Sequence, residues 1–209
     1  LRALFDLLEI DEMQVAEGAL RHGVLYDLLD REHAQTDIRA TTAQRLAIKF
    51  DVDAQQAERV SRVALTLFQQ LGSHHPDTLR ERLQRKLEWA ARLHEMGARI
   101  SHSDYHKHGA YIIDNADAPG FSLPELHRLS QLVLGHRGKL RKLDPATFDS
   151  DFAAQLLALR LAVILCHARR DPDLQSLSVS GTSGQSNGFA LRLPAGWTGR
   201  WPQSAHLLR

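Results

Sequence analysis

The stretch LEWAARLHEMGARISHSDYHKHGAYII, residues 87–113, concentrates the side chains best suited to chemistry. His94, His102, His106 and His108 lie in it, with Glu95, Arg99, Asp104 and Lys107 among them. Imidazoles and carboxylates together can hold a divalent metal. His102 and His106 are four apart. A helix starting near 104 would put them on one face, as a two-histidine metal edge. The same residues serve two other purposes. With Ser101, Ser103 and Asp104, imidazoles can hydrogen-bond and pin a turn between helices. Beside Arg99 and Lys107, they can also contact phosphate. His94 shares a stripe with Leu83, Leu87 and Ala90, which suits a hydrogen-bonded core histidine.

A second stretch, HRGKLRK at 136–142, places Arg137, Lys139, Arg141 and Lys142 together with no acid between them. A linear polyanion needs such a basic track. The plainer reading is a solvated helix end whose cations face the helix dipole. RERLQRK at 80–86 is basic too, but its wheel position suggests an ordinary exposed helix face. There is no P-loop, no G-x-G-x-x-G and no G-x-S-x-G. His94-Glu95 lacks the second histidine of a zincin motif. Cys166 lies within an apolar helical stripe and is assigned to packing, as are Trp89, Trp197 and Trp201.

These residues must be positioned by helices. After Asp53, apolar residues at 57, 60, 63, 64, 67, 68 and 71 form a continuous stripe, with Asp53 as N-cap. Further helices are expected around Leu20–Leu28, at TTAQRLAIKF, from about Thr78 to Met96 with Gly97 as C′ residue, at HGAYIIDNA, after the SLPE capping box, and over about 149–168. Beyond Asp171-Pro172 the pattern alternates. SLSVSG and GFALRLP then read as a β-hairpin that must lean on the helices or on sequence outside this chain. The expected class is mainly α with a small β-containing appendage.

Composition narrows the function. The chain has 209 residues, is 43% apolar and carries a formal net charge of +1, which gives no global attraction to nucleic acid or anionic membrane. A single cysteine excludes an internal disulfide and fits a reducing, cytoplasmic setting. No apolar run approaches the ~20 residues of a membrane span, and no signal peptide is visible. The sequence begins at Leu1, so a piece of something longer is expected.

The order of helices is similar to that of HD-type metal phosphohydrolases. In those proteins a histidine, a His-Asp pair and a late aspartate hold the metal. The corresponding positions here are Gln56, His94, Glu95 and Val163. His94 is the only expected ligand present. Glu95 offers an oxygen, Gln56 is a poor ligand and Val163 has no donor atom, so an HD-like scaffold without metal is expected. EGALRHGVLYDLL, AQQAERVSRVALTLFQQL, the 87–122 block and LGHRGKLRKL then resemble the C-terminal half of the exopolyphosphatase / guanosine pentaphosphate phosphohydrolase family, over roughly Gly18 to Arg170.

The resemblance implies that catalysis, using Mg²⁺, belongs to an N-terminal actin-like module absent from this chain. It implies no catalytic residue and no cofactor here. Residues 1–32 would be the tail of that module, 33–170 an HD-like helical domain and 171–209 a small α+β domain. The expected role is accessory: polyphosphate contact through Arg137, Lys139, Arg141, Lys142, Arg99, Lys107, His102, His106 and His108, and dimerisation. The resemblance favours hydrogen bonding for the histidine cluster, then phosphate contact, then metal. The alternatives are a free-standing HD metal phosphohydrolase acting on nucleotides, and a dimerisation module with no ligand. Nucleic acid is not an expected partner.

Overall fold

A computed structural model describes residues 37–71, 76–182 and 188–208. The helix expected around Leu20–Leu28 lies outside them. The chain divides into two units, 1–38 and 39–209, and every described element except the first residue of α1 belongs to the second.

Helix α1 is Ile38–Lys49, which buries Thr42, Ala43 and Leu46. Helix α2, Ala54–Gln70, starts where Asp53 accepts the Gln56 N–H at 3.0 Å. Its stripe of Val60, Val63, Ala64 and Leu67 is fully buried. Helix α3 is Asp77–Leu93 and a 3₁₀ turn follows at Met96–Arg99. Helix α4 is Tyr105–Asn115 and α5 is Leu123–Gly135, the latter opened by the expected capping box of Ser122 and Glu125. Helix α6, Ser150–Leu165, is capped by Asp149. Its buried residues run almost around its circumference, as expected of a core helix.

α2 packs against both α3 and α6, while α5 packs against α3, α4 and α6. The core lies between them, built on Leu67, Leu87, Leu93, Leu132, Phe152 and Leu159. Gln155 is buried there with its amide satisfied, donating to Leu83 O at 2.8 Å and accepting from Arg128 at 3.1 Å.

Strands β1, Ser178–Thr182, and β2, Gly188–Arg192, form an antiparallel pair with Val179 opposite Leu191. As expected, the hairpin leans on a helix: Gln70 of α2 donates to Leu177 O at 3.3 Å and accepts from Val179 N at 2.9 Å. Short helices α7, Trp197–Arg200, and α8, Pro202–Leu207, follow. Ser204 ties α8 to α6 through the Ile164 carbonyl at 2.8 Å. Among the described residues no helix is long and apolar enough to cross a membrane.

Gly97 differs from expectation. Helix α3 ends before it, and Gly97 lies inside the 3₁₀ turn rather than at a left-handed C′ position. Its lack of a side chain serves packing: a Cβ there would overlap Tyr105 O and Gly109 N. The backbone of the 3₁₀ turn thus rests directly on α4. Gly97→Ala is expected to cost about 3 kcal/mol, read as a lowered denaturant midpoint. Gly181→Ala, where a Cβ meets nothing within 4 Å, should cost far less.

Candidate anion-binding site

Two helices end in the same way. His94 caps α3 and His136 caps α5. Each directs Nδ1 at a carbonyl three residues back, Ala91 O at 2.7 Å and Val133 O at 2.6 Å. Nδ1–H therefore donates in both, satisfying a carbonyl the helix leaves unpaired. The two rings meet edge to face at 5.4 Å. Burial depresses the pKa of both, for His136 reinforced by the neighbouring His94, so both rings are neutral near pH 7. The Nε2 of His136 then accepts from the Tyr105 hydroxyl at 3.2 Å. The Arg137 guanidinium lies over the Tyr105 ring, 5.4 Å from its centroid.

His106, one residue after Tyr105, is only 6% exposed, and its Nδ1 has no hydrogen-bond partner. Its ring faces His136 at 6.2 Å. Burial and then Lys142 push its pKa down to about 4. Gly138, at φ +78°, brings His106 and Lys142 close together: a Cβ there would lie 3.2 Å from Lys142 Nζ and 3.7 Å from His106 Nε2. Lys142 donates to Arg137 O at 2.6 Å. Arg160 of α6 donates to Gly135 O at 2.7 Å and Gly138 O at 3.0 Å. The Lys142 pKa falls to about 8, first through burial and then through repulsion from Arg160, Lys107 and Arg137, with Asp104 opposing. Lys107 itself binds Asp104 at 2.9 Å.

The structure thus gathers Lys107, His106, Arg137 and Lys142 around Gly138. Lys139, Arg141, Arg99 and His102 are exposed, and His108 is half-buried. Helix α4 begins at Tyr105, so His102 lies outside it and shares no helical face with His106. Tyr105, His136 and Arg160 were not singled out from sequence. The parallel between RLHEMG and VLGHRG was the available signal for His136.

Of the positions matching the HD metal set, Gln56 and Glu95 are bonded to arginines. Gln56 donates to Cys166 O at 3.0 Å and accepts from Arg59 at 2.5 Å. Arg169, at φ +53°, reaches Asp53 at 2.5 Å and Glu95 at 3.3 Å. Arg59 and Arg62 both engage Asp171. Gln56, Asp53 and Glu95 are thus already bonded to guanidinium groups, His94 to a backbone carbonyl, and Val163 packs against the core. Such a donor set does not fit a divalent cation, and no group of three ligand-type residues suited to one occurs among the described residues. The Cys166 thiol is pushed up to about 12 by burial, which removes it as a nucleophile.

The neutral histidines couple stability to pH. Each is held below its unfolded pKa, so the unfolded chain binds more protons and stability falls as pH drops through about 6.5. For His106 the loss continues down to its folded value of about 4. Each such histidine contributes up to about 1.4 kcal/mol per pH unit in that window. Thermal melts should show lower stability at about pH 5 than at about pH 7, and His106→Asn should flatten this dependence. An unchanged slope would mean that His106 does not titrate in the window.

The sequence profile of Ppx/GppA phosphatase, domain III, matches residues 38–208. A guanosine-5'-triphosphate,3'-diphosphate pyrophosphatase of Pseudoalteromonas translucida is 39% identical over 184 residues, covering 85% of this chain and 36% of the relative. Proteins of the same name from Vibrio atlanticus and Aeromonas hydrophila are 36% identical over 207 residues and 37% over 200. They cover 97% and 93% of this chain, but the chain spans only 40% and 39% of their own length. With one profile running through all the described helices and the hairpin, the chain belongs to the Ppx/GppA phosphatase family and corresponds to its domain III.

Proposed function

We propose that this chain is the polyanion-handling part of a phosphohydrolase that removes terminal phosphate from guanosine pentaphosphate or from polyphosphate. Bond cleavage and its Mg²⁺ belong, in this reading, to another module of the same protein, and the setting is cytoplasmic. The relatives named for the guanosine compound support the parent reaction.

One observation carries the role of this chain: Lys142, whose Nζ donates to Arg137 O and lies beside Gly138, to whose carbonyl Arg160 donates, is repelled by Arg160, Lys107 and Arg137, with Asp104 as the opposing acid. Like charges held this close repel, and a bound phosphate chain relieves the repulsion. The fixed parts, Arg160 on its two carbonyls and Arg137 on Tyr105, orient the site. Exposed Lys139, Arg141 and Arg99 extend it as a track for a polymer of uniform charge. His106 is neutral until a phosphate oxygen or a drop in pH favours its protonation. A homodimer fits the exposed Ile48 and Tyr111, apolar side chains 73% and 68% accessible.

Long-chain polyphosphate should bind the isolated chain with affinity that falls steeply with salt. Arg137→Glu with Lys139→Glu should weaken binding far more than Arg192→Glu with Arg200→Glu on the hairpin and terminal helix. Equal losses would indicate generic attraction and remove the site. Lys142 adds a proton signature. Its pKa should rise on binding, so complex formation near pH 8 takes up protons, and affinity declines as pH climbs through about 8. Calorimetry in buffers of different ionisation enthalpy measures this uptake, and Lys142→Gln should abolish it.

The chain alone should release no phosphate from either compound with Mg²⁺. Stoichiometric transition metal with turnover lost in His94→Ala would instead establish a self-sufficient metal phosphohydrolase.

A further inference from the structure

Part of the basic run at 80–86 faces a cavity. Arg82 and Lys86 are four residues apart on α3 and turn toward Arg39 of α1 and Glu125 of α5. With Leu79 and Leu83 they line a cavity of about 230 Å³. Arg85 also lines it, but is paired with Glu81 at 3.9 Å.

Among the described residues, two of the cavity's cations, Arg82 and Lys86, have no carboxylate partner. Glu125 is already used: one oxygen accepts from Ser122 N at 3.0 Å and Ser122 Oγ at 2.8 Å, the other from Arg39 at 2.9 Å. Arg39 is braced from behind, its guanidinium 5.1 Å from the Trp89 ring centroid. Trp89 in turn meets Phe121 edge to face at 5.0 Å. Elsewhere on the same helix Arg80 has Asp77, and Arg92 has Glu88 and Glu58. Lys86 is half-buried, and burial leads the causes that lower its pKa, with Arg128, Arg39 and Arg82 adding repulsion and Glu125 opposing.

We infer that this cavity is a binding site for a diphosphate group. Its cations converge from α1 and α3 on a space too small for an extended polymer. A compact ligand with several negative charges offsets their repulsion, which a singly charged carboxylate does poorly. Guanidinium forks and an ammonium suit phosphate oxygens, the forks pairing two at a time and the ammonium acting as a point charge. Leu79 and Leu83 close one wall without competing for those oxygens. The site shares no residue with the ridge around Gly138, so it stands whether or not that ridge binds polyphosphate.

Calorimetry with pyrophosphate and, separately, with ADP tests the inference on the full chain. Saturable binding of pyrophosphate alone identifies the free anion as the ligand, and binding of both identifies the diphosphate of a nucleotide. Arg82→Gln with Lys86→Gln should weaken binding by about tenfold or more, with an unchanged circular-dichroism melt. Arg192→Gln with Arg200→Gln, on the hairpin and terminal helix, should leave it unaffected. In the unaltered chain, pyrophosphate should protect Lys86 from acylation by acetic anhydride, read by peptide mass spectrometry. Absence of saturable binding, equal affinity in the Arg82/Lys86 variant, equal affinity for citrate, or unprotected Lys86 would each overturn the assignment.

Discussion

The edge-to-face contact between His94 and His136 joins the ends of α3 and α5 at the base of the basic ridge. Both rings must be neutral, because each is buried with one nitrogen committed to a backbone carbonyl. That neutrality leaves Nε2 of His136 as an acceptor, which fixes the Tyr105 hydroxyl. Tyr105 supports Arg137, and Gly97 lets the backbone carrying Tyr105 approach the 3₁₀ turn. The charged ridge is therefore held by the apolar core rather than by other surface charges. Surface ion pairs alone would contribute little to its geometry.

A second polar system ties this same C-terminal end of α3 to the start of α2. Arg169, in a backbone conformation that side chains other than glycine rarely adopt, bonds Asp53 and Glu95 together. Arg59 does the same for Gln56 and Asp171. In each case a guanidinium bridges acceptors on separate elements, as a metal ion would. A guanidinium neutralises charge and directs hydrogen bonds, but it offers no open coordination position and activates no water.

Much of this was legible in the sequence. The stripe after Asp53, the SLPE capping box and the alternation after Pro172 specify α2, α5 and the hairpin, because each rests on local periodicity or capping. The ridge at 136–142 was legible as charge, though not its dependence on Arg160, which arrives from a distant helix. The cavity at Arg82 and Lys86 was hidden for the same reason. A helical wheel reports which residues share a face, and only tertiary packing shows that α1 and α5 stand opposite that face. Gly97 looked like a helix terminator because the sequence cannot distinguish a glycine needed for a dihedral angle from one needed for close approach.

Cys166 has a practical consequence. It is the only thiol in the chain, is fully buried, and is held protonated far above neutral pH. Maleimide and iodoacetamide reagents attack thiolates, so the native protein should be spectroscopically blank toward them. A cysteine placed at exposed Arg141 or Arg192 would then carry a fluorophore at one defined position without removal of the native residue. The ridge and the hairpin can be watched separately in otherwise unaltered protein.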